Sequence, residues 1–521
     1  MTPFQVFRRW LRRAPLGQKV MSATAAMAVL AALLWSVVPA GSQSGSGALG
    51  ANGYGARSQS GATANSQSAN SAASATGSNT GAGSGSNSPG GAQGPSQGVA
   101  STGGVASTGG VGSNGSHCVS PPGSAPGVTA TQINIAILIV NLAGPAADST
   151  FGIESPQDQQ SGFQAVINNI NSNGGVACRK LVPTFYQANP ADQSSLQALC
   201  LTIVQSNVFA VVDPGAYANY APGLNCYGQN HIPYFEGYQL DRSQATTYYP
   251  YLFSFDTLDS SYKNGILGLK ELGFFSASNG FKKLGLLYRD CYPDLVSQEF
   301  SLLSQVGVSS SDISSYDIGC PQALASPSDI ENAVLKFQQA GVTNMTEVFE
   351  LGDMATFTNV SQQQGFHPRW GIGDDGILEI SNGAEAPNAQ NLNGAMAITA
   401  SRNGENNVAS LAASPTAGTQ KCDAILQTVG LSPVYTHAQV GNQCDQLWML
   451  QAAVGDAPEL SQNALAAGLQ RAGSIDFSYP QGPNNFRAGG TTVGGQFWRE
   501  DEYTSSCDCW QVVNPNWYPS F

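Results

Sequence analysis

The run Ile133-Asn134-Ile135-Ala136-Ile137-Leu138-Ile139-Val140 constrains this chain more than any other stretch. It is apolar at odd and even positions alike, which suits a parallel strand covered by helices on both faces and not a half-exposed, alternating one. Gly144-Pro145-Ala146 follows, and then a helical pattern. Ser155 is placed to cap that helix, with Pro156 in its first turn and Asp158 near the positive end of its dipole. Phe163, Val166, Ile167 and Ile170 recur at helical spacing, and Asn173-Gly174-Gly175 supplies a left-handed stop. Leu181-Val182-Pro183-Thr184-Phe185-Tyr186 then reads as a second strand, so the stretch is a strand, helix, strand unit.

Everything before residue 117 reads differently. Arg8, Arg9, Arg12, Arg13 and Lys19 precede an apolar segment from Ala25 to Val38, and no acidic residue occurs before Asp148, the pattern of an export signal. Val38-Pro39-Ala40 offers a peptidase site for a cleaved secretory peptide, while Met21 to Ala40 is long enough for an uncleaved membrane anchor with its basic end inside. Residues 41–116 are mostly Gly, Ser, Ala, Asn and Thr with Arg57 as the single charge, too poor in large apolar groups to offset the entropy of ordering. They are expected to form a disordered tether, with a root-mean-square reach of about 45 to 50 Å.

The formal net charge of −13 and the dispersed cations argue against nucleic acid as a partner. Ten cysteines behind an export signal point to an oxidising compartment, and none has zinc spacing.

The ordered set Gly144, Pro145, Ala165, Val166, Ile170, Asn171, Gly174, Gly175, Val176, Arg179 and Lys180 resembles the opening of the leucine/isoleucine/valine-binding protein family. The resemblance continues through Leu258-Asp259-Ser260-Ser261 and Gly373-Asp374-Asp375-Gly376, over about residues 131 to 515. It implies an α/β fold of the two-lobed type I periplasmic-binding-protein kind, each lobe a mostly parallel sheet flanked by helices, with three interlobe crossings. The expected division is residues 1–40 as signal peptide or anchor, 41–116 as tether, 117–257 as the first part of lobe 1, 258–378 as the first part of lobe 2, 379–475 as the return to lobe 1, and 476–521 as the completion of lobe 2. Similar receptors carry a disulfide where Cys200 and Cys226 fall; Cys291 with Cys320 and Cys422 with Cys444 are the next most local pairs, while Cys118, Cys178, Cys507 and Cys509 are left unpaired by the sequence.

Open parallel sheets bind ligands at the carboxyl ends of their strands, so Asp213-Pro214-Gly215-Ala216-Tyr217 and Glu236-Gly237-Tyr238 are expected to border the site. Amino-acid-binding relatives place Ser or Thr hydroxyls there for an α-carboxylate, and this chain has none. The resemblance assigns ligand contact to Tyr292 and Asp375 on the second lobe, and position after a strand adds Tyr217, Glu236 and Tyr238 on the first. The plain alternatives are a turn carboxylate beside Gly376 for Asp375, a cap over a helix for Tyr292, a solvated loop carboxylate for Glu236 and lobe-edge aromatics for the other tyrosines. Asp256 and Asp259 mark the first hinge.

No catalytic arrangement competes with this. His117, His231, His367 and His437 are scattered, Asp374-Asp375 lacks the companions of a cation loop, Glu500-Asp501-Glu502 reads as a solvated turn, and no phosphate-loop motif occurs. The expectation is a non-enzymatic extracytoplasmic protein without cofactor or metal, capturing a small polar solute for an ABC-type importer. A membrane-tethered sensing ectodomain working through a partner is the alternative, and an extracellular hydrolase the remote third.

Overall fold

The computed structural model describes residues 120–521 apart from 143, 146–147, 149–152, 216–220, 238, 291–292, 320–324, 349–352, 374–386, 403–415, 432–439, 487–491 and 496. The anchor and tether readings therefore lie outside the described residues.

Two sheets organise these residues. The first begins with β1 (Gln132–Val140), followed by α1 (Pro156–Ser172), β2 (Lys180–Ala188), α2 (Gln193–Val204), β3 (Ala210–Asp213), α3 (Ala221–Gln229) and β4 (Tyr234–Glu236). A short β5 (Gln239–Leu240) outside this sheet and α4 (Arg242–Thr247) lead to β6 (Leu252–Phe253), which completes it in the order β2-β1-β3-β4-β6 with every pairing parallel. The unbroken apolar character of β1 now has its reason. Ile133, Ile135, Ile137 and Ile139 belong to the core under α1, while Ala136, Leu138 and Val140 belong to the core under α2, α3 and α4 on the opposite face. Each Ile, Leu and Val among them contributes about 1.5–3 kcal/mol on burial. Ser155 caps α1 by accepting from the Asp158 N–H, and Gly174 and Gly175 take positive φ at its end.

After β6 the chain enters the second sheet. β7 (Asp256–Thr257) pairs with β5 and leads into α5 (Leu258–Glu271), β8 (Leu284–Tyr288), α6 (Pro293–Gln305), β9 (Ile313–Asp317), α7 (Pro327–Ala340), β10 (Asn344–Val348), α8 (Asp353–Gln364), β11 (Arg369–Ile372), α9 (Ala389–Leu392) and β12 (Met396–Thr399). The chain then returns to the first core through α10 (Ala417–Leu426), α11 (Val440–Gly455) and α12 (Leu465–Ala472), followed by the small β13 (Ser474–Ile475) and β14 (Asn484–Asn485). β15 (Phe497–Thr504), β16 (Cys509–Val512) and β17 (Tyr518–Pro519) close the second sheet, ordered β16-β15-β12-β11-β10-β8-β9, with β17 also on β15. From β12 to β9 the strands are parallel; β15 is antiparallel to β12, β16 and β17.

Three readings shift. β12 lies in the second sheet, so the return to the first core comes after Thr399 and not at residue 379. Phe477 and Phe486 are buried in the first core, so the last departure falls near Val493 and not at residue 476. The reason is the same for both: side-chain burial holds each segment to the core it fills, and no local turn signal marks either switch. Glu500-Asp501-Glu502 is no turn. It lies within β15, where strand alternation turns Asp501 inward to 0% exposure.

Cys200–Cys226 joins α2 to α3, and Cys422–Cys444 joins α10 to α11. Cys507–Cys509 closes the turn between β15 and β16, and Cys178 is also disulfide-bonded. The Cys291–Cys320 pairing lies outside the described residues.

Candidate functional site

The carboxyl ends of β3 and β4 stand side by side, with Asp213 in register with Glu236. Asp213 is fully buried and accepts from the Tyr234 hydroxyl and, at 3.1 Å, from the Gly215 N–H. Its carbonyl accepts from the Gly237 N–H at 2.8 Å and from the Gln446 side-chain amide of α11. Gly237 is required here, because a Cβ would sit 2.2 Å from Gln446 Nε2 and 3.0 Å from the Asp213 carbonyl oxygen. Glu236 is 1% exposed, so it is no solvated loop carboxylate.

Three connections run between the sheets. The first, after β6, carries Asp256, whose Oδ1 accepts from the Thr257 N–H at 2.8 Å, and Asp259 in the first turn of α5. Asp259 accepts from the Arg242 N–H at 3.0 Å; its ion pair with the Arg242 side chain, at 3.9 Å, is well exposed and accordingly weak. The second connection leaves β12 through Ala400-Ser401-Arg402. It is laced to the segment Tyr479-Pro480-Gln481 by Arg402 N–H to the Tyr479 carbonyl and Gln481 N–H to the Ala400 carbonyl, both 2.7 Å. The third leads from Thr492 into β15, and the Ser254 N–H of the first donates to its Thr492 carbonyl at 3.1 Å.

A cavity of ≈ 20 Å³ opens where these connections meet. Phe255 and Asp256, Ala400 and Ser401, Tyr479 to Gln481, and Gly495 with Phe497 line it, and Gly237 with Gln239 close it from the end of β4. That is room for about one water, since roughly 10–15 Å³ by this measure holds one. Tyr217, Tyr238, Tyr292 and Asp375 lie outside the described residues. Of the sequence-derived positions, Asp256 lines this cavity; Glu236 precedes the lining residue Gly237 but does not line the cavity, and Asp259 lies in the first turn of α5.

Residues that no sequence argument singled out anchor the region. Asp445, in α11, is fully buried and accepts from the Ser478 N–H and hydroxyl, both 2.8 Å, and from the Tyr479 N–H at 2.7 Å. Burial outweighs those hydrogen bonds and pushes its carboxyl up to about 7, with Asp476 adding to the rise. Burial lowers the pKa of nearby Lys421, an effect opposed by Asp445. The signal was present: Gln443, Asp445 and Gln446 are polar residues in a helix otherwise filled by Leu447, Met449 and Leu450. Among the described residues no group of His, Cys, Asp or Glu is placed to hold a metal ion.

Two sheets, parallel except where β15 pairs with its neighbours, are thus joined by connections that share one cavity. Residues 133–498 match the periplasmic binding protein family, and the chain belongs to that family. Membership carries a solute-binding role rather than catalysis, and a place outside the cytoplasm. Among solved structures, the branched-chain amino acid transporter substrate binding protein of Streptococcus pneumoniae, in complex with isoleucine, has a TM-score of 0.53 at 14% identity, covering 75% of this chain and 100% of that one. A solute binding protein from R. palustris, in complex with 4-hydroxybenzoate, gives 0.55 at 12% identity, covering 75% and 97%. A fatty acid ABC transporter substrate-binding protein from Thermomonospora curvata gives 0.53 at 13% identity, covering 77% and 95%. At such identities the likeness establishes the fold. No curated protein matches the sequence. Among the described residues no helix is long and apolar enough to cross a membrane.

Proposed function

We propose that this protein captures a small polar solute, bearing an amine, an amide or several hydroxyls, between two hinged lobes and delivers it to the permease of an ABC-type importer. The observation that carries the reading is the cavity itself. Its wall is built from all three connections, so a group held there is touched by the segments that must bend when the lobes close. Tyr217, Glu236 and Tyr238 serve as the first wall of the cleft, Tyr292 and Asp375 as the second, and Asp256 and Asp259 as the hinge. The N-terminal segment holds the protein at the membrane and residues 41–116 give it reach.

Of the similar structures, one is in complex with isoleucine, one with 4-hydroxybenzoate and one is a fatty acid transporter's binding protein, so the fold does not select the solute and the cleft must. The carboxylates favour an amine, and the tyrosine faces suit cations and sugar-like rings alike. A thermal-shift screen over amino acids, polyamines, amides and sugars tests this. An amine-bearing hit at near-micromolar affinity, weakened by about 2 to 5 kcal/mol in Asp375→Ala, supports it. Tightest binding of leucine, isoleucine or valine, indifferent to Asp375→Ala, refutes it.

A further inference from the structure

We propose that Cys507–Cys509 is a thiol-exchange site, opened by small uncharged or cationic thiols and re-formed by the corresponding disulfides in the folded protein, while Cys200–Cys226 and Cys422–Cys444 stay closed. Exchange requires a thiolate to reach a sulfur, so access governs which bond reacts. Cys200, Cys422 and Cys444 are 0% exposed within helix packing, whereas Cys507 is exposed at the tip of the β15–β16 hairpin. The two buried bonds span 26 and 22 residues and join packed helices, whereas Cys507 and Cys509 are only 2 apart in one turn, so opening that bond separates no packed elements.

The hairpin does not depend on the bond. Its ladder runs from Asp501↔Val512 to Thr504↔Cys509, and Trp510 and Tyr503 are buried in the second core. Gln511 adds a chemical feature that the buried pairs are not seen to have: its Nε2 lies 3.4 Å from Cys507 Sγ and 4.0 Å from Cys509 Sγ. An amide donor spanning both sulfurs stabilises a thiolate on whichever departs. Asp508 lies between the cysteines and accepts from the Tyr503 hydroxyl, and exposed Glu502 stands opposite Gln511. These carboxylates repel anionic thiols, which sets the chemical class of the reductant.

The reaction balances with a dithiol as the two-electron donor. Its thiolate attacks Cys507 Sγ, forming a mixed disulfide and releasing Cys509 as a thiolate beside Gln511. The second thiol of the donor then attacks its own sulfur in the mixed disulfide and releases Cys507. The donor leaves as a disulfide, and its two protons reside on Cys507 and Cys509.

The test treats the folded full-length chain with dithiothreitol for timed intervals, quenches by alkylation and maps each cysteine by mass spectrometry. Cys507 and Cys509 are expected to label at least about tenfold faster than the other two pairs, with cationic cysteamine outpacing anionic 3-mercaptopropionate at equal thiolate concentration. Simultaneous labelling of the three pairs, or labelling only on unfolding, overturns the proposal, and a faster anionic thiol overturns the assigned class. Gln511→Leu should slow opening severalfold at unchanged Tm; an unchanged rate removes the amide from the mechanism.

Discussion

Arg289 at the carboxyl end of β8 and Asp353 at the start of α8 form an ion pair almost wholly out of water, with Arg289 Nε donating to Asp353 Oδ2 at 2.8 Å and side chains 2% and 1% exposed. Asp353 Oδ1 also accepts from the Ala325 N–H at 2.7 Å, and Arg289 reaches the Gly319 carbonyl at 3.3 Å. The pair thus pins the loops at the carboxyl edge of the second sheet. Burial raises the Asp353 pKa against the opposing pull of its hydrogen bonds and of Arg289.

Removing either partner leaves a buried charge. Arg289→Met or Asp353→Leu alone should cost about 3–5 kcal/mol, while the double variant should recover much of that loss. Urea unfolding of the four proteins completes the cycle; additive losses contradict it.

The pH dependence of stability runs opposite to ordinary acid denaturation. Burial pushes Glu154 and Glu299 up to about 8 and Asp445 up to about 7, Glu154 with further help from Asp158. Each binds its proton more tightly folded than unfolded, so its favourable contribution is complete below the unfolded pKa, near 4, and is lost as pH rises through 7 to 8. Calorimetric Tm should therefore decline from about pH 5 to pH 8, and Glu299→Gln should flatten that decline. A Tm that climbs across this window in the parent protein contradicts the assignment.

The Cys200–Cys226 crosslink ties α2 to α3 beneath the first sheet and spans 26 residues. Replacing both cysteines by alanine should lower stability by about 3 to 4 kcal/mol through the entropy of the unfolded chain. Denaturant titration reads the effect as a shift in midpoint, and a loss below about 1 kcal/mol shows that the entropic account fails here.

Asp445 is the acceptor for three donors of Ser478 and Tyr479, and Tyr479 lines the cavity. Asp445→Ala orphans those donors and should cost about 2–4 kcal/mol. Solute affinity should fall more than in Lys421→Ala, which changes the charge nearby but leaves the donors of Ser478 and Tyr479 satisfied. Equal losses in the two variants would mean that charge, and not the held backbone, is what matters.

Much of the architecture was legible because β1 carries its environment in its composition: seven of its apolar side chains fill two cores on opposite faces. Ser155 and Gly174-Gly175 were equally plain, since capping and positive φ are local properties. What was not legible depends on distant partners. Nothing near Thr399 says that β12 pairs with β11 and β15, and nothing near Phe477 says that it packs against Phe255, 5.1 Å away between ring centroids. Glu236 was found by its place after a strand, while its burial, like that of Asp445, is decided by what the rest of the chain lays over it.

The lacing of Ala400–Arg402 to Tyr479–Gln481, with Ser254 tied to Thr492, bears on how such a molecule can move. A hydrogen-bonded ribbon flexes readily about a line across its strands, whereas shear or torsion must stretch its rungs together. Were the two cores to close about these segments, as proposed above, they would be left with a single soft coordinate. Solutes of different size would then meet the same trajectory and differ only in where along it they halt, so that selectivity is read out as an angle of arrest.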